Sequence, residues 1–210
     1  MINKFKNIFE GLKIAYGQYQ KGDKDENGKQ KGKAYIVRKN VSDDLWENHL
    51  QGKGPALGII PIREDSTCRW GCIDIDSYDL DHASLIQSIR NLNLPLIVCR
   101  SKSGGAHVFL FSKEFIPASL MQGTLKKIAK VLGYEGCEIF PKQTEILVER
   151  GDTGNFLNLP YYNGMKGLRY AYDDSANALS LEHFCALYDQ RSLGERGIRE
   201  IKIDETTEQE

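Results

Sequence analysis

The chain has 210 residues, 40% of them hydrophobic and 27% charged, long enough to bury a core without disulfide or metal staples and too apolar to be disordered throughout. Its 28 basic and 29 acidic side chains leave a formal charge of −1, which excludes a generally cationic coat for nucleic acid and leaves only a local patch. No stretch offers the ~18 consecutive apolar residues of a membrane span, and the mixed polar start Met1–Glu10 has no signal-peptide core, so a soluble intracellular protein with no membrane partner is expected.

In chain order, Tyr19–Lys33 carries charges of both signs, three glycines and no aliphatic residue, and reads as a mobile loop or hairpin tip. Ser42 ahead of Asp43, Asp44, Leu45, Trp46 and Leu50 predicts a short N-capped helix, and Leu57–Ile62 a strand. Arg69–Asp76 alternates, placing Trp70, Cys72, Asp74 and Asp76 on one face and Ile73 and Ile75 on the other. A helix over Asp81–Leu92 follows, then a strand from Pro95, the loop Ser101–Gly105 and a strand from Ala106. Pro117 opens a helix striped by Met121, Leu125, Ile128 and Leu132, and Gly133 stops it. CEIF, TEILVE, NFLNL and LRYAY read as short strands, Leu179–Gln190 as a last helix, and the tail from Ile201 as frayed and acidic. Strands outnumber helices in the second half. The fold class is therefore α+β, a mixed or antiparallel sheet with packed helices.

Five cysteines, mostly in apolar runs, point to buried free thiols; Cys68 and Cys72 have a zinc-like spacing, but no second Cys/His pair follows. Two same-face carboxylates at the end of an apolar strand, Asp74 and Asp76, suit a divalent metal, since unpaired buried carboxylates are costly; capping and turn formation are the alternative. The loop Arg100–His107 gathers backbone N–H groups, two hydroxyls, two cations and an imidazole, and either wraps phosphate oxygens or is a plain hairpin turn. Glu138 is a third acid, with Lys142 close along the chain. Lys126, Lys127, Lys130, Lys142, Lys166 and Arg169 are the material for a basic patch, or simply solvated side chains.

Taken together, IDID, then SKSGGAH with His107 31 residues after Asp76, then EIFPKQ with Glu138 31 further on, then GNFLNLP, resemble the archaeo-eukaryotic primase superfamily. The narrower likeness, over about Trp46 to Tyr172, is to primase-polymerase domains of phage and plasmid replication proteins and of TOTE conflict systems. The resemblance implies a modified RNA-recognition-type catalytic sheet with an N-terminal α/β unit. It also implies that Asp74, Asp76 and a third acid, Glu138 or Glu145, hold Mg²⁺ or Mn²⁺. Ser103 and His107 would contact the phosphates of an incoming nucleotide within a loop of Arg100, Ser101, Gly104 and Gly105; Lys142, Gln143 and Asn155 match positions near the nucleotide.

The expectation is one domain over 1–210, with an N-terminal unit (1–68), a catalytic core (69–175) and a C-terminal helix and tail (176–210). Its function would be template-directed nucleotide addition to a 3′-hydroxyl, priming or extending DNA, on single-stranded template and primer with nucleoside triphosphates. No Walker motif is present, so it would act alone or with a separate helicase, in the cytoplasm of a bacterial or phage-infected cell. The alternatives are a metal-dependent phosphodiesterase and an inactive nucleic-acid-binding module.

Overall fold

The computed structural model describes residues 1–24 and 30–203, the side chains of residues 20–31 excepted. The chain runs α1 (Ile2–Ile8), β1 (Tyr16–Lys24), β2 (Gln30–Val37), α2 (Asp43–Gln51), β3 (Gly58–Ile59), β4 (Thr67–Ile75), α3 (His82–Asn91) and β5 (Leu96–Arg100). It continues through β6 (Ala106–Pro117), α4 (Ala118–Val131), β7 (Glu138–Phe140), β8 (Leu157–Asn158), α5 (Leu181–Arg191) and α6 (Glu195–Arg199). Two antiparallel sheets result, ordered β2-β1-β3-β8 and β5-β6-β4-β7. The class is the expected α+β with packed helices. Strand β8 carries residues 157 and 158 back to the sheet that begins the chain.

Alternation along β4 and β6 gives the second sheet two different faces. Ile73, Ile75, Val108 and Leu110 lie in one core cluster with the buried stripes of α3 (Leu85, Ile86, Ile89) and α4 (Met121, Leu125, Ile128). Trp70, Cys72, Phe109 and Phe111 face the other way, into a cluster with Phe5 and Phe9 from the first turns of the chain and Phe184 of α5. Phe9 sits at its centre, 5.4 to 5.9 Å from the rings of Trp70, Phe109, Phe111 and Phe184. The register of β4 on β6 shifts between Cys68 and Trp70, so Cys68 belongs with the helix-side cluster although Trp70, two residues on, does not.

Local signals account for the helix ends. Asp81 accepts from the Ser84 amide at 3.1 Å, and Ser180 from the His183 amide at 3.2 Å. Ser42 stands at the N-cap of α2 but makes no side-chain cap, while Gly52, at φ 71°, closes that helix.

Several expected elements differ. The charged Tyr19–Lys33 stretch forms the arms of the β1–β2 hairpin, its tip lying outside the described residues. The strand expected at Leu57–Ile62 pairs only over Gly58–Ile59, and NFLNL only over Leu157–Asn158. TEILVE is not a strand: it ends in a 3-10 turn at Val148–Arg150, and LRYAY makes isolated bridges, Ala171 with Cys99 and Tyr172 with Ala178. In these last two segments the apolar side chains pack without a neighbouring strand to complete a ladder. Helix α1, read only as a polar start, buries Phe5 and Ile8 with Phe9 following. Ile201 and Ile203 pack partly against the core instead of fraying, and residues 204–210 lie outside the described residues. The cysteines are free thiols, and all but Cys137 are buried.

Candidate active site

The antiparallel register sets one row across the second sheet. Cys99 of β5 pairs with His107 of β6, His107 with Asp74 of β4, and Asp74 with Glu138 of β7. Since Asp74 shares the parity of Trp70 and Cys72, the row lies on the aromatic face, one step beyond the row Ile97, Phe109, Cys72, Phe140. Asp76 stands just past the end of β4. Of the two possible third acids, Glu138 is the one opposite Asp74; Glu145 is exposed in the irregular segment that the expected strand would have occupied.

The loop between β5 and β6 closes over the end of β4. The Ser101 amide donates to the Gly105 carbonyl at 2.9 Å, and Ser103 Oγ donates to Asp76 Oδ1 at 3.2 Å, with the Ser101 hydroxyl 3.1 Å from that of Ser103. Gly104 adopts φ 101°, and at Gly105 a Cβ would stand 2.0 Å from the Ile75 carbonyl oxygen, so the loop reaches the strand end only because no side chain intervenes. His82, opening α3, holds the Gly105 carbonyl from outside at 3.1 Å. Arg100 is turned to the Leu168 carbonyl, 3.2 Å from Nη1.

Electrostatics separates the members of the row. Burial raises Asp74 to about 7, and the charges of Asp76 and Glu138 push the same way against Lys142. Burial lowers His107 to about 4, and the Arg169 charge adds to that. The approach of His107 Nε2 to Asp74 Oδ1, 3.4 Å, therefore joins a neutral imidazole to a carboxyl and is not an ion pair at neutral pH. Lys142 pairs with Glu138 at 2.7 Å. Among the described residues, no three acidic, histidine or cysteine side chains stand close enough together to ligate one ion. The donor set nonetheless suits a hard divalent cation: the charges of Asp76 and Glu138 bear on the Asp74 carboxyl, with Lys142 set against them.

Gln143 and Asn155 bond each other, Gln143 Nε2 donating to Asn155 Oδ1 and the Asn155 backbone N–H donating to Gln143 Oε1 at 3.2 Å. The six basic residues proposed as a patch are not brought together. Lys126, Lys127 and Lys130 project from α4, whose buried stripe packs on the face opposite the Asp74 row; Lys142 and Arg169 lie on the row's side. Two polar groups away from the row were not legible from spacing. Tyr162 is tied by its hydroxyl to the Gly54 carbonyl at 2.6 Å. His49, buried in α2, presents Nδ1 to the Leu57 amide at 3.0 Å and Nε2 to the Pro160 carbonyl at 2.7 Å, and burial lowers it to about 4. The pattern Trp46, His49, Leu50 was the available signal for a buried histidine there.

A family model for the archaeo-eukaryotic primase domain of TOTE conflict systems matches residues 2–170. Among solved structures, the archaeo-eukaryotic primase domain of the cyanophage S-2L primase-polymerase has a TM-score of 0.50 at 9% identity, over 89% of this chain and 95% of that one. That likeness concerns the fold. Primase RepB′ gives 0.41 at 12% identity, over 90% of this chain and 60% of that one. The catalytic domain of RepB′ in complex with initiator DNA gives 0.40 at 11%, over 96% and 97%. No curated protein matches the sequence.

Proposed function

The chain belongs to the archaeo-eukaryotic primase domain family of TOTE conflict systems, and from that premise we propose that it is a template-directed nucleotidyltransferase that adds nucleotides to a 3′-hydroxyl. The observation that carries the reading is the row His107, Asp74, Glu138, closed by Asp76 at the strand end. Asp74, Asp76 and Glu138 would hold Mg²⁺ or Mn²⁺, which when bound lowers the pKa of the attacking hydroxyl and takes up charge on the departing pyrophosphate.

The chain's own residues prepare the remainder. Asp74 is held in the ladder of β4, and Asp76 follows one residue past the strand end, where Ser103 donates to it. His107, kept neutral, would supply a hydrogen bond to a phosphate oxygen and leave the offsetting of full charge to another group. That task falls to Lys142, which must exchange Glu138 for a phosphate. Ser103, already on Asp76, orients its hydroxyl between the strand end and the loop. Lys126, Lys127 and Lys130 have no part in this reading, because the sheet stands between them and the row.

The test is nucleotide addition by the purified chain on single-stranded template, with and without primer, in Mg²⁺ or Mn²⁺. The reading expects labelled product that requires template, nucleotide and metal. Loss of nucleic acid without added nucleotide would replace it with a phosphodiesterase, and DNA binding with no metal-dependent chemistry would replace it with a binding module.

A further inference from the structure

Arg169 is 7% exposed, yet among the described residues no carboxylate comes within ion-pair distance of its guanidinium. Its side chain makes one long hydrogen bond, 3.5 Å to the Leu159 carbonyl, and lies 5.7 Å from the Tyr162 ring. A buried cation without a counter-charge is costly, and the cost is relieved when an anion arrives. Arg169 lines a groove of about 500 Å³, a size that holds a small ligand.

The other walls of this groove match a nucleotide's other half. Tyr19, Pro55, Ala56, Tyr162 and Leu168 supply rings and apolar surface, and Lys102 supplies a second cation, 4.0 Å above the Tyr19 ring. Tyr162 is held from behind, its hydroxyl on the Gly54 carbonyl and its ring 5.6 Å from that of His49, both of whose nitrogens are bonded to backbone. No acidic side chain lines the groove among the described residues. Lys102, which belongs to the Ser101–Gly105 loop, is one of its walls, and none of the candidate site's carboxylates lines it.

We propose that this groove is a nucleotide subsite, in which the Arg169 guanidinium takes a phosphate as a fork and Tyr162 offers its ring to the base. The choice of a nucleotide rests on the nucleotidyl-transfer reading. The shared chemistry, a phosphate beside a planar base, can come from a free nucleoside triphosphate or from one position of a single strand.

The experiment measures binding of ATP and of a labelled oligothymidylate to the full chain in EDTA, which leaves no divalent cation to bridge ligand and carboxylates. Two variants test the groove: Leu168→Glu, at a 63% exposed position, puts a carboxylate at its wall, and Arg169→Lys keeps the charge but loses the fork. Each is expected to weaken binding by about tenfold, whereas Lys130→Glu on the far face leaves it unchanged. Affinity lost for ATP alone identifies the free nucleotide as occupant, and for the oligonucleotide alone a strand position. Parent-like binding of both probes by Leu168→Glu overturns the proposal, even if Arg169→Lys does not fold. If the parent extends primers but binds neither probe in EDTA, the groove proposal falls and the nucleotidyl-transfer reading stands. If it does neither, both fall.

Discussion

Two imidazoles are buried almost equally, His49 at 0% and His107 at 8% exposure, and burial lowers both to about 4, yet the regions around them differ in kind. Around His49 both ring nitrogens are spent on backbone, joining α2 to the start of β3 and to the segment after β8. Around His107 one nitrogen faces a carboxyl whose own protonation is displaced, at the open end of a sheet face that is otherwise aromatic. Burial alone therefore does not mark a functional histidine. What the ring nitrogens meet does.

The strongest way to break this comparison is to remove the carboxyl that distinguishes the second region. Asp74→Asn is expected to cut nucleotide addition by about a thousandfold or more while making the metal-free protein more stable. The sign follows from linkage: the folded carboxyl titrates at about 7, above its ordinary 3.8, so its stabilising contribution is complete below pH 3.8 and is lost as pH rises to 7. In EDTA the Asn variant should gain on the order of 2 to 4 kcal/mol above pH 7 and nothing near pH 3.5, read by urea unfolding. An Asn variant with near-normal turnover would remove the carboxylate site.

His49→Ala is expected to cost about 3 kcal/mol in the same unfolding assay, from a buried ring and two orphaned backbone groups, with the nucleotide KM little changed. A specific rise in KM without lost stability would merge the two regions. His107→Gln should do the reverse, weakening nucleotide use by about tenfold at a smaller stability cost. It also sharpens the acid limb. Both histidines are below their ordinary 6.5 when folded, so the unfolded chain binds more protons and stability falls between pH 6.5 and 4; the Gln variant should take up about one proton fewer across that window. The smallest effect is expected at Lys126, Lys127 and Lys130, where charge reversal should leave primer extension within about twofold, because these side chains lie behind the sheet.

Much of the fold was legible where one segment carries its own signal. The alternation of Arg69–Asp76, the stripe after Pro117 and the helical spacing from Asp81 to Leu92 each survive in β4, α4 and α3. The choice between Glu138 and Glu145 was not legible, because it depends on which strand docks beside β4, a pairing between residues 64 apart in sequence. The segment TEILVE, after Glu138, has strand-like spacing without strand structure for a related reason: Ile146 is buried without a strand partner, and apolar spacing does not report whether one exists. Arg169 was visible as a charge, but its burial and its groove are assembled from Tyr19, Pro55, Lys102 and Tyr162, four separate parts of the chain.

The register shift between Cys68 and Trp70 acts as an expansion joint. Opposite it, Ser112–Phe115 of β6 leaves the ladder with β4, and Ser112 and Lys113 engage Leu193 instead. A residue inserted in that stretch would be taken up at the joint, at the expense of the Leu193 contacts, leaving Trp70–Ile75 and Ala106–Phe111 in step. The same insertion between Cys72 and Asp74 has no such outlet: it would carry the carboxyl to the helix side of the sheet, among Leu125 and Ile128. Length variation is thus admissible on one side of Trp70 and destructive on the other, although both lie on one nine-residue strand.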